Sequence, residues 1–123
     1  MEVVISVFIG LVAFIHCYIL WFEMFAWTTR GPKIFRGFPK DLFEPTQAMA
    51  ANQGLYNGFL AAGLIWTFFI SDPVWKMNIA LFFLGCVAVA GIYGAMTADK
   101  KIIFVQTVPA TIGIVLILLK GMI

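Results

Sequence analysis

The chain has 123 residues, 63% of them hydrophobic, with a mean hydropathy of +1.00 and a formal charge of +2. Such a composition is that of an integral membrane protein and leaves nothing for a separate water-soluble domain. The charge is too small to suggest nucleic acid as a partner, and the basic residues flank apolar runs instead of forming a stripe.

The apolar runs predict helices over 3–27, 47–70, 74–96 and 101–120, with an interfacial loop at 28–46, all in one domain spanning 1–123. The runs are continuous and not alternating, so helices satisfy the backbone in lipid and barrel strands do not. The expected fold is therefore an all-α integral membrane protein, a bundle of four transmembrane helices. No cleavable leader is expected, because Met1-Glu2 stands where a basic region belongs and the first run exceeds a leader's core. Arg30, Lys33, Arg36 and Lys40 occupy the first loop, and Lys100 and Lys101 the third, against Lys76 and Lys120 on the other side. Six against two places loops one and three in the cytoplasm and both termini outside, in an inner membrane crossed several times.

The first helix stays apolar until His16, and Glu23 follows seven residues on. That spacing puts both on one face, about 10 Å apart along the axis, with Leu20 and Trp27 continuing it. Intramembrane ionisable groups usually face the interior of a bundle. The bland readings are a snorkelling interfacial acid for Glu23 and a neutral imidazole bonded to a neighbouring helix for His16. Cys17 and Cys86, with no CxxC between them, read as buried small apolar side chains.

In the first loop, Gly31-Pro32 is expected to break the helix. The aromatics and cations of residues 34–38 and 42–44 suit the headgroup level, as an interfacial anchor or as a flap over the mouth of the bundle. The second helix then carries Asn52, Gln53, Tyr56 and Asn57 inside a run from 48 to 70 that has no charge. Ala50, Gly54, Gly58 and Ala62 make a small-residue strip on its far side. Gly85, Ala88, Gly91 and Ala95 of the third helix form a seam that is the natural partner of that strip. Ser71-Asp72-Pro73 is the tight turn between these helices. The fourth helix meets Gln106, Thr107 and Pro109 in its first turns, and Pro109 frees a carbonyl one turn back.

His16 to Glu23, Asn52 to Asn57, Tyr93, and Gln106 to Thr107 all fall in the same half of the bilayer, because odd helices end where even ones begin. Polarity gathered at one depth on every helix predicts one polar chamber near loops one and three. Its walls would be His16, Glu23, Asn52, Gln53, Tyr56, Asn57, Tyr93 and Gln106.

Glu23-Met24-Phe25 with Trp27, then Phe35, and above all residues 51–64 with their Asn-Gln-Gly-x-Tyr-Asn-Gly core, resemble the small four-helix bacterial membrane proteins of domain-of-unknown-function family 1304. The resemblance covers nearly the whole chain. It implies the fold and topology, and no activity.

Three roles fit the residues. The first is a site for an amphipathic or lipid-soluble small molecule, with His16 and Glu23 as a candidate catalytic acid–base pair if chemistry takes place there. Asn52, Gln53, Asn57 and Gln106 would orient the ligand, Tyr56 would stack or donate, and Tyr93 would be a further ligand-binding residue. The second is a small proton-coupled exporter of hydrophobic or cationic compounds. The third is a structural bundle whose polar groups satisfy one another. Metal and cofactor sites are not expected, since one histidine beside one carboxylate falls short of a ligand set. The expected partners are the bilayer and a small molecule, with a homo-oligomer left open.

Overall fold

The computed structural model describes residues 1–122. Its elements, all helical, are α1 (Glu2–Phe25), α2 (Trp27–Ile34), a 3-10 turn (Lys40–Leu42), α3 (Gln47–Trp66) continued by a 3-10 turn (Thr67–Phe69), α4 (Pro73–Thr97), a π turn (Ile103–Thr107) and α5 (Val108–Met122). Three helices are long and apolar enough to cross a membrane: α1, α4 and the continuous stretch Ile103–Met122. Helix α3 matches them in length at 20 residues, but Gln47, Asn52, Gln53 and Asn57 lower its apolarity, and it is not among the three.

Local chemistry explains most of the helix ends. Asp72 caps α4, its Oδ1 accepting the Trp75 N–H at 2.9 Å, and Pro73 takes the first helical position, where no N–H is needed. The break after α1 differs from the expected one. It falls at Ala26, with φ −129° and ψ 12°, and Gly31-Pro32 lies inside α2. Pro32 withholds one amide from this short helix, while Gly31 answers a packing need. A Cβ at Gly31 would run into the ring of Phe43, which is itself buried. Pro109 likewise supplies no N–H to the turn before it. That turn is wound wide, with the Val108 N–H reaching back to the Ile103 carbonyl.

The four long helices form a ring in which α1 and α4 each neighbour α3 and α5, with little contact across the α1–α4 diagonal. The α1–α3 pair is the most extensive. This corrects the expected pairing of small-residue strips. Gly54 and Gly58 face α1, and the α4 seam lies elsewhere. A Cβ on Gly54 would sit 2.9 Å from Met24 Cγ and 3.1 Å from the Leu20 carbonyl oxygen, and one on Gly58 would overlap Leu20. Glycines opposite bulky side chains let two helices close up as well as glycines opposite glycines do, because a long side chain fills the notch. On α4, Gly91 faces Gln106 and Thr107, and the Thr107 hydroxyl donates to the Ala88 carbonyl at 3.1 Å.

The apolar core occupies the half of the ring nearer the termini. Ile5, Ile9, Val12 and Ala13 of α1 and Ala80, Leu84 and Val87 of α4 belong to one cluster, completed by Leu64 of α3 and Ala110 and Ile117 of α5. Among segments in lipid, close dispersion contact holds such a core together, since the tails outside are equally apolar.

Candidate functional site

Where α1 runs out, Glu23 is only 5% exposed. The glycine notch of α3 brings Asn57 beside it, and the Asn57 Nδ2 donates to Glu23 Oε1 at 2.9 Å and to the Gln53 carbonyl at 3.1 Å. Among the described residues no lysine or arginine pairs with Glu23. The ion pair present is Lys120 with Glu2, at the opposite end.

Glu23 borders a cleft of about 220 Å³. Trp27 and Phe38 supply its aromatic wall, Thr46, Met49 and Ala50 its rim, and Gln53 its remaining polar side chain. The position of Trp27 is fixed twice. Its indole N–H donates to Thr46 Oγ1 at 3.0 Å, and the Thr46 hydroxyl donates in turn to the Leu42 carbonyl at 2.7 Å. Its ring packs against Phe22, Phe35, Phe38 and Phe43 at centroid separations of 5.8, 6.0, 6.0 and 5.0 Å. The rings of the first loop are thus gathered inward, while Arg30, Lys33, Arg36 and Lys40 stay exposed. A larger groove of about 540 Å³ at the other end is lined by Glu2, Lys76 and Lys120 among others. Its acid, Glu2, is already paired with Lys120, which leaves little chemistry there.

The structure does not build the single chamber expected from depth alone. His16 is fully buried, with Nδ1 against the Val12 carbonyl at 2.8 Å and Nε2 without a hydrogen-bond partner among the described residues, and it does not line the cleft. Leu20 lies between His16 and Glu23 on their shared face and fills the notch at Gly58, so the two titratable groups do not share a site. The imidazole bonds its own helix, not a neighbouring one. Asn52 is exposed and donates to the Ala48 carbonyl at 3.0 Å. Tyr56 and Tyr93 face outward at 65% and 69% exposure, and Gln106 is half-buried in the π turn against α4. The outward turn of Asn52 and Tyr56 has a simple cause. Gly54 and Gly58 lie two residues on, about 200° around the helix, and those glycines face α1. Of the eight expected residues, the cleft and its hydrogen bonds unite Glu23, Gln53 and Asn57. Cys17, expected inside, is exposed and Cys86 is half-buried, and both are free thiols.

Sequence reasoning missed Phe38, Thr46 and Met49 as cleft residues. Trp27 carried a signal, standing four residues after Glu23 on the same face. Thr46 carried none, since its role depends on where the loop returns.

These observations define a class, an all-helical chain with three helices fit to cross a membrane and a buried carboxyl group held by an amide at the end of the first. Comparison places it further: the chain belongs to the family described as Protein of unknown function (DUF1304), which matches residues 10–118. It is similar to the uncharacterized protein YpaA of Lactococcus lactis subsp. lactis (strain IL1403), 33% identical over 98 residues, which cover 78% of this chain and 81% of that protein. No solved structure matches the chain.

Proposed function

We propose that this protein is a four-span membrane protein whose Glu23 cleft binds a small amphipathic or lipid-soluble molecule. The place of α3 in the ring supports a fourth span, and its 20 residues reach about 30 Å, the thickness of a bilayer core. The loop charges support an inner-membrane orientation with the cleft on the cytoplasmic side and the termini outside. The observation that carries the binding reading is Glu23 itself. Glu23 is a residue only 5% exposed that borders a cleft, has no basic partner among the described residues, and keeps a carboxyl oxygen free to meet a guest.

A direct test uses the protein in zwitterionic nanodiscs and follows the indole ¹H–¹⁵N signal of Trp27, whose N–H sits on the cleft wall. Titration with decyl alcohol, decyl sulfate and decyltrimethylammonium is expected to give a saturable shift with at least one, lost in Gln53→Phe, which fills the cleft from an exposed position. No saturable shift with any of the three would overturn the reading.

A second reading, proton-coupled export, draws on the same lone acid in the first helix. It predicts uptake into vesicles driven by a pH gradient and abolished in Glu23→Gln.

A further inference from the structure

The binding reading leaves the ligand's chemistry open, and the hydrogen-bond roles around the cleft narrow it. Each donor on the wall but one is already committed. The Trp27 N–H is given to Thr46, and the Thr46 hydroxyl to the Leu42 carbonyl. The Gln53 side-chain amide is the exception. Acceptors are in surplus. One oxygen of Glu23 takes the Asn57 amide, and the other has no donor among the described residues. The four cations of the first loop point outward and none lines the cleft. A site rich in acceptors, poor in donors and walled by the rings of Trp27 and Phe38 suits a positive guest, since ring faces and a carboxylate both attract one.

Size limits that guest. At about 220 Å³ the cleft is smaller than the roughly 300–1,000 Å³ that holds a drug-sized ligand, so it takes a head and not a whole molecule. Met49, on the rim and 73% exposed, continues the wall outward as apolar surface. An anion is disfavoured by Glu23, and a neutral head would leave the acid without a counter-charge.

Resting on the binding reading, we propose that the cleft receives the ammonium head of an amphiphilic amine, set between Glu23 and the rings of Trp27 and Phe38, with its tail leaving past Met49.

The three probes separate this from the broader reading. Decyltrimethylammonium, which carries the charge without an N–H, is expected to bind about tenfold more tightly than decyl alcohol, with decyl sulfate weakest, as attraction to the carboxylate and the ring faces requires. Glu23→Gln should cut that preference to no more than the roughly two- to fivefold that the rings supply. The variant keeps an oxygen for the Asn57 amide, and unchanged shifts elsewhere in the spectrum would report an intact fold. Phe38→Leu, at a half-buried loop position, should weaken the ammonium by about two- to fivefold and spare the alcohol. Alcohol or sulfate binding as tightly as the ammonium, or a preference undiminished by Glu23→Gln, would overturn the ammonium proposal and leave the binding reading standing. Silence from all three probes would overturn both.

Discussion

The two ends of the bundle are built on opposite principles. Toward the termini, α1 and α4 bury Ile5, Ile9, Val12, Leu84 and Val87, and Glu2 and Lys120 pair at the surface. Toward the first loop, the small residues of α3 draw it onto α1, and the space this leaves at the helix end is taken by a carboxyl group, an amide and five rings. One end gains its order from shape alone and keeps charge outside. The other carries an acid inward and needs particular partners for it. Polar groups removed from water are high-stakes in a way that surface pairs are not.

Substitutions should break that contrast in a definite order. The largest effect is expected from Gly54→Leu. The Leu20 carbonyl in its path is backbone and cannot rotate away, so α1 and α3 must part. Unfolding in mild detergent should show a loss of about 1–3 kcal/mol, with ligand binding lost as well. Asn57→Leu comes next. It removes the donor to Glu23 without changing the glycine notch, for about 1–2 kcal/mol, and Asn57→Asp should not restore the loss, since it sets two acids together. Thr46→Val should cost about 0.5–1.5 kcal/mol and release the Trp27 N–H, seen as a moved indole resonance with the rest of the spectrum in place. Glu2→Gln should leave the unfolding midpoint where it was, because Glu2 lies in solvent and its attraction to Lys120 is screened. A Glu2 effect as large as that of Asn57 would remove the distinction between the two ends.

The all-helical class and the family were legible in the sequence, because continuous apolar runs admit few backbone solutions and the Asn-Gln-Gly-x-Tyr-Asn-Gly core is distinctive. Depth was legible too, which is why Glu23 and Asn57 could be set at one level. Helical period gives a residue's direction but not the neighbour standing there. Gly54 and Gly58 therefore read as a strip in search of other glycines, when the notch takes Leu20 and Met24. The same gap put Asn52, Tyr56 and Tyr93 in a chamber that the ring of helices does not form. Phe38 and Thr46 were beyond reach for a different reason. They reach the cleft only because the first loop folds back over α1, its ring of Phe43 seated on Gly31.

The wide turn at Ile103–Thr107 has a consequence for how the chain tolerates change. It holds one residue more than ordinary α winding and absorbs it within a single turn, so removing one residue there would restore regular winding and leave the segments on either side facing nearly as before. The aim of the third loop relative to the aliphatic face that α5 presents further along is thereby insulated from a one-residue change in length. A one-residue deletion in that stretch should therefore keep both the direction of Lys100 and Lys101 and the packing of the terminal core.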